Sequence, residues 1–447
     1  MVGLFSKRAD SESNSMKRRG YLIEEVISEV NLLDAFKSVM QGKKRSRVIL
    51  YYKKHKAEIL QEIADEIKDD KYIPSGYREF TLNESGKERE IQSLPFKDRI
   101  ALHAIMNVLY ERVVKGALIR DTYSSLPGRG IHDGLERVKK ALRDVDGTTY
   151  CLKFDLKKFY HSIDRAVLIE MLRAKIKDAR MMNTLSRIVC SYKEGERGIP
   201  IGYHSSQLFG NYYLCPLDYY AKSVLKIGYY FRYCDDIVIL SHDKGHLHAL
   251  LDSLREFVDK ELHLTVKENY QVFPVESRGI DFLGYVLRHD YVHVRKRIKQ
   301  KAARRLHEIK SRKRRRVVAA ALWGWTKHAN AINLFYKLTG MKSFKELGVS
   351  YKPSDGKKRF DHPLTPLGNL QNCEVTVLDF ETDIKTKEGE GRYVVLYELN
   401  EMKGKFITNS EEMKSILDQV RDMNELPFKT IIRRKIFGQN KSKYIFE

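Results

Sequence analysis

Tyr233-Cys234-Asp235-Asp236, set between Phe231-Arg232 and Ile237-Val238-Ile239-Leu240, places two adjacent carboxylates between apolar, β-prone runs. The pattern predicts a β-hairpin with acids at its tip. A hairpin avoids unpaired negative charge, so such a pair needs a cation to offset repulsion and desolvation, and Mg²⁺ prefers carboxylate oxygens together with substrate phosphate. The competing reading is a solvated Asp-Asp turn, because Asp is a common turn residue.

A second acid bears on that choice. Thr149 to Leu156 alternates in strand fashion, with Tyr150, Leu152 and Phe154 on one face and Cys151, Lys153 and Asp155 on the other, so Asp155 falls near the end of a strand. Two neighbouring strands with acids at their tips can hold two metal ions about 4 Å apart, one activating an attacking hydroxyl and one stabilising the leaving group. That is the chemistry of a polymerase.

At this point the sequence resembles the palm of reverse transcriptases. Phe154-Asp155 through Tyr160 matches the first metal motif and Tyr233-Cys234-Asp235-Asp236 the second. Tyr77 to Phe80, Gly86 to Ile91 and Pro95 to Ile100 resemble the fingers hairpin and the helix after it, and Gly279 to Tyr285 resembles the primer-grip turn. The resemblance implies that Asp155, Asp235 and Asp236 are the catalytic acids and ligate two Mg²⁺ ions, with Mn²⁺ able to substitute. It implies that Lys87 and Arg89 reach the triphosphate of an incoming dNTP. Tyr160 would gate against a ribose 2′-hydroxyl, Lys267 would serve the pyrophosphate leaving group, and Ile201, Gly202 and Gln207 would line the nucleotide site. Ile201-Gly202-Tyr203-His204-Ser205-Ser206-Gln207 stands where most of the family has a Gln-Gly pair, and is similar to the pattern in diversity-generating retroelements. Those enzymes copy a template RNA with frequent errors at adenine, and the cDNA replaces part of a target gene in retrohoming. The alternatives are an antiphage or retron-type reverse transcriptase, or a scaffold that binds nucleic acid without polymerising.

Composition agrees with a nucleic-acid partner. The 447 residues hold 82 Lys and Arg against 59 Asp and Glu, a formal charge of +23 that attracts a polyanion by counterion release. A hydrophobic content of 42% supports packed cores. The five cysteines are scattered without a Cys-x-x-Cys pair, so neither a disulfide framework nor a zinc site is expected. No apolar run is long enough for a membrane span and Met1 to Gly20 has no signal-peptide core, so a cytoplasmic protein is expected, and the resemblance implies that a bacterium or phage encodes it.

The expected fold class is α+β, a right-hand polymerase with a small C-terminal α+β or β-barrel domain. Residues 1–20 are read as a flexible N-terminus, 21–288 as fingers and palm, 289–348 as a basic helical thumb, 349–372 as a linker and 373–447 as an accessory domain for nucleic acid or a partner. Arg295, Arg297, Arg304, Arg312, Arg314 and Arg315 lie on helical sequence suited to the backbone of a template RNA–cDNA duplex. The break at residues 42–47 is a basic loop or a template contact. A small helical accessory protein is implied by the resemblance. In the last domain Asn409-x-x-Glu412 predicts a helix cap. Asp379-Phe380-Glu381-Thr382 is similar to an exonuclease opening motif, but too little chain follows to supply the remaining acids.

Overall fold

The computed structural model describes residues 18–43, 46–84, 86–192, 195–341, 356–387, 389–437 and 441–447. Two compact units result, Met1–Met341 and Lys342–Glu447.

After a short helix at Leu22–Val26, the first unit has helices α1 (Glu29–Met40), α2 (Arg47–Lys54) and α3 (Lys56–Lys68), followed by the hairpin β1 (Arg78–Glu84) and β2 (Lys87–Ser93) and by α4 (Phe96–Leu109). Order begins earlier than Tyr21, since the Arg19 N–H donates to Lys175 O at 2.8 Å and Lys177 N–H to Arg19 O at 2.7 Å. The expected flexible segment otherwise lies outside the described residues, as does the centre of the basic 42–47 break.

A five-stranded sheet carries the acids. Its strands are β3 (Thr122–Tyr123), β4 (Tyr150–Asp155), β5 (Tyr229–Tyr233), β6 (Asp236–Ser241) and β7 (Gln271–Pro274), in the order β3-β5-β6-β4-β7. Only the short β3–β5 pairing is parallel. Both faces are buried, and alternate side chains divide between two cores. Leu152, Phe154, Tyr230, Ile237 and Ile239 point into one, and Cys151, Phe231, Val238 and Leu240 into the other. A one-residue slip would exchange the two sets, so packing fixes the register that brings the acids level.

Helices α5 (Phe159–Ser162), α6 (Arg165–Arg173), α7 (Ala179–Cys190), α8 (His204–Tyr213) and α9 (Lys244–Leu262) belong to the same unit. A second sheet of β8 (Ile280–Phe282), β9 (Tyr285–Leu287) and β10 (Val292–Val294) follows, with Val292 opposite Leu287. The expected boundary at residue 288 therefore falls inside a sheet, because the chain turns back to pair before the basic helices begin. Those helices are α10 (Lys296–Glu308), α11 (Arg312–Thr326) and α12 (Ile332–Thr339). The end of the expected thumb, from residue 342, lies outside the described residues.

The second unit is an open antiparallel sheet of β11 (Glu374–Thr386), β12 (Gly389–Leu399), β13 (Met402–Thr408), β14 (Phe428–Phe437) and β15 (Lys441–Phe446), with helix α13 (Glu411–Asp422). The order β13-β12-β11-β14-β15 leaves β13 and β15 at opposite edges, so the α+β reading holds and the barrel does not. The helix is capped by Ser410, whose hydroxyl accepts from Met413 N–H, and not by Asn409. The later part of the expected linker is folded. Leu370 is buried in this unit's core, and Lys405 N–H donates to Pro363 O at 2.9 Å. Burying Leu370 ties residues 363–372 to the sheet; residues 349–355 lie outside the described residues.

Candidate active site: the acidic hairpin of the palm

Asp155 and Asp236 are register partners on adjacent strands, and Tyr233 pairs with Asp236 across a turn made of Cys234 and Asp235. Cys234 occupies the left-handed region at φ 56° to close this two-residue turn. The sheet thus delivers all three acids to one tip.

Two lysines stand among them. Lys267 Nζ forms an ion pair with Asp155, and Lys153 Nζ lies 3.2 Å from Asp236 Oδ2 while also donating to Asp281 O. Asp236 Oδ1 is buried and has no hydrogen-bond partner among the described residues. Burial, with the charges of Asp235 and Asp155, pushes the Asp236 carboxyl up to about 6 against the pull of Lys153. Burial likewise raises Asp235, the charge of Asp155 adding to the effect. Among the described residues no group of three or more His, Cys, Asp or Glu is gathered tightly enough to hold an ion. The carboxylates share a tip without converging on a point. The orphaned oxygen, the raised acids and the all-oxygen donor set nevertheless fit a hard divalent cation, which would satisfy what the lysines leave unmet.

Tyr160, on α5, joins the hairpin to α8. Its hydroxyl donates to Gln207 Oε1 at 3.1 Å and lies 3.1 Å from Cys234 Sγ. Burial pushes the Cys234 thiol up to about 12, so it is neutral and packs rather than reacts. Ser125 Oγ also donates to Gln207 Oε1, at 3.2 Å. Tyr160, Gln207 and the acidic turn are therefore one connected group.

The Gly198–Gly202 segment is tied to this group and to the fingers hairpin. Ile199 N–H donates to Tyr160 O at 2.9 Å. Gln92, fully buried at the end of β2, binds Ile201 twice: its N–H donates to Ile201 O at 2.8 Å, and its Oε1 accepts the Ile201 N–H at 2.9 Å. Gly202 has φ 117°, and a Cβ there would lie 2.4 Å from Gln92 O, so only glycine permits this approach. Gln92 was not legible as a site residue. Lys87-Glu88-Arg89-Glu90-Ile91-Gln92-Ser93 reads as an exposed polar strand with no mark on its buried member.

The remaining residues divide. Arg89 is exposed on β2 opposite Leu82, and Lys87 opens that strand opposite Glu84, its side chain lying outside the described residues. Arg297, Arg304, Arg312 and Arg314 are exposed on α10 and α11. Arg295 and Arg315 are engaged within the protein, Arg295 with Asp281 and Arg315 donating to Leu306 O at 2.7 Å, where it caps α10. A buried pair also escaped the sequence: Arg232 and Asp218 meet at 2.6 Å beneath the hairpin.

Comparison with known proteins agrees with this geometry. Residues 78–287 match the family model described as reverse transcriptase (RNA-dependent DNA polymerase), and residues 361–447 match a domain of unknown function (DUF8468). Protein YkfC of Escherichia coli (strain K12) is 24% identical over 309 residues, 59% of this chain and 79% of that protein. The group II intron-encoded protein LtrA of Lactococcus lactis subsp. cremoris is 27% identical over 182 residues, 38% of this chain and 29% of that protein, so the chain spans less than a third of it. A structure of apo telomerase from Candida Tropicalis covers 60% of this chain and 53% of its own at 14% identity, with a TM-score of 0.41. No helix among the described residues is long and apolar enough to cross a membrane. Residues 78–287 are a reverse transcriptase domain, the catalytic domain of an RNA-directed DNA polymerase.

Proposed function

We propose that this chain makes cDNA with frequent errors at template adenines, as the enzyme of a diversity-generating retroelement. Asp155 and Asp235 hold two Mg²⁺ ions, with Asp236 supporting them at the same tip. Such ions, when bound, activate the primer 3′-hydroxyl and stabilise the leaving pyrophosphate. The protein's own part is to hold the acids level through the β4–β6 register and to place Tyr160 under the nucleotide sugar. Arg89 and Lys87 meet the triphosphate, and Lys267, fixed beside Asp155, supplies the proton that the pyrophosphate takes up. Template RNA and its cDNA duplex lie along α10 and α11, where Arg297, Arg304, Arg312 and Arg314 face solvent.

The observation that carries the adenine-mutagenic reading is Ile201. Its backbone is held at both its N–H and its carbonyl by Gln92, two residues after Ile199 donates to the Tyr160 carbonyl. A glutamine there can hydrogen-bond near the base pair and favour the correct one; isoleucine cannot. A contact of about 1.4 kcal/mol changes discrimination tenfold. Ile201→Gln should therefore lower misincorporation opposite template adenine by up to about tenfold while synthesis continues. Sequencing cDNA from a mixed-base template tests this. Accurate copying of adenine by the unmodified enzyme, with its cognate RNA and accessory protein, would leave an ordinary reverse transcriptase.

A further inference from the structure

Charge in the second unit is sorted rather than spread. Residues 342–447 hold 19 Lys and Arg against 17 Asp and Glu, yet Lys429, Arg433, Arg434, Lys435, Lys441 and Lys443 lie in a stretch from Leu426 to Phe446 without a single acid. The remainder of the unit, with 13 basic residues against 17 acidic ones, is net negative.

That basic stretch forms an arm. The first part of β14, Phe428 to Ile431, pairs with β11, and Ile432 still exchanges backbone bonds with Asn372 and Cys373, whereas the named strand partner of Arg433 to Phe437 is β15. The core ends where the arm begins: Ile432 and its partner Phe446 are buried, and the five residues from Arg433 to Phe437 are all exposed. Arg433 is held by Glu447 and Lys443 by Glu412. Arg434 donates to Ser442 Oγ at 3.0 Å, and Lys435 stands opposite Lys443, with the Glu412 carboxylate beside both charges. Beyond them Ile436 is 73% exposed and Phe437 48% exposed, with Lys443 Nζ 5.9 Å from the Phe437 ring.

Protection of an edge strand explains lysines on β15, since charge there blocks pairing with other chains. It does not explain an aromatic and an aliphatic side chain left in solvent on β14. Cations beside an exposed ring are what an unpaired nucleic-acid strand needs: phosphates meet the charges and a base stacks on the ring. We propose that the β14–β15 arm binds an unpaired segment of RNA, with Phe437 stacking on a base and Arg434 and Lys435 at the phosphates. The arm gives the domain of unknown function an RNA contact separate from the duplex contacts of α10 and α11.

The full-length protein, mixed with an RNA hairpin whose unpaired loop carries 4-thiouridine, should crosslink at the peptide spanning Arg434 to Phe437. Lys435→Glu with Phe437→Ala should reduce that crosslink by about fivefold or more. Lys387→Glu, an equal charge change at another exposed position of the unit, should leave it intact. Extension of a preannealed DNA primer should be unchanged in both variants, since neither touches the palm. Crosslinks confined to residues before 342 would overturn the proposal. So would equal competition by a blunt duplex lacking unpaired bases, or variants that crosslink normally but change the sedimentation of the protein, which would make the arm an interface between copies.

Discussion

Two ion pairs, each with one member on the β5–β6 hairpin, Arg232 in one and Asp236 in the other, have opposite characters. Arg232 and Asp218 are fully buried, and both oxygens of Asp218 are occupied. Oδ1 accepts from Tyr230 Oη at 2.9 Å and Arg232 Nε at 2.7 Å, and Oδ2 from Arg232 Nη2 at 2.6 Å and Thr122 Oγ1 at 3.2 Å. The guanidinium also donates to Cys234 O at 3.0 Å, which props the turn from beneath. At the tip, Lys153 meets one oxygen of Asp236, and the other has no partner among the described residues. Charge satisfied inside the fold fixes position; charge left short is held for something brought from outside.

The largest effect should come from the acids at the tip, and it should be catalytic. Asp155→Asn or Asp235→Asn should cut primer extension by at least about a thousandfold, more than 4 kcal/mol of barrier, while RNA affinity holds. Asp236→Asn should be severe but less complete. Melting temperature should stay level or rise for Asp235→Asn, because a half-buried carboxylate with a raised pKa burdens the fold at neutral pH. Extension at the unmodified rate by Asp155→Asn or Asp235→Asn would remove the active site from this hairpin.

Beneath it the effect should reverse in kind. Asp218→Ala strands the Arg232 charge in the core and should cost about 3–5 kcal/mol in denaturant unfolding. Any activity lost would follow the folded fraction. A variant with unaltered stability but no activity would mean that Asp218 belongs to the chemistry and that the two pairs do not differ as described.

Gln92 tests whether buried polar groups without charge sort the same way. Gln92→Leu keeps the volume but leaves the Ile201 N–H without its acceptor, a loss of about 1–3 kcal/mol. If Ile201 lines the nucleotide site, KM for dNTP should rise about tenfold with little change in kcat. A lower melting point with unchanged KM would make Gln92 structural alone. This residue also shows where reading the sequence stops. The acidic hairpin was legible because Asp235-Asp236 stands between apolar, β-prone runs, and because Thr149 to Leu156 alternates as a strand that ends near Asp155. Gln92, Asp218 and Arg232 were not, since their partners lie 109, 14 and 14 residues away and no local period records such a pairing. The cap of α13 shows a finer limit: Asn409 and Ser410 are both good caps, and only the backbone decides between them.

The smallest effect should come from Asp164, a carboxylate satisfied at the protein surface. Its Oδ1 accepts the N–H groups of Ala166 at 3.0 Å and Val167 at 3.2 Å, capping α6, and its Oδ2 lies 2.8 Å from His263 Nδ1. Burial works against its charge, but the bonds from His263 and Val167 outweigh that and hold the carboxyl below its usual range. Asp164→Ala should cost about 1 kcal/mol at neutral pH, and Asp164→Asn less, because it keeps the capping oxygen. A carboxyl with a lowered folded pKa contributes fully above its unfolded value and loses the contribution as pH falls through the folded one. The stability gap between the parent and Asp164→Ala should therefore be constant above about pH 4 and close below it. Unfolding curves collected down the acid range would show the two proteins converging. A gap that stayed constant into strong acid would mean that the capping geometry, and not the charge, supplies the stability, and that Asp164 does not belong with Asp218 among the acids the fold has satisfied.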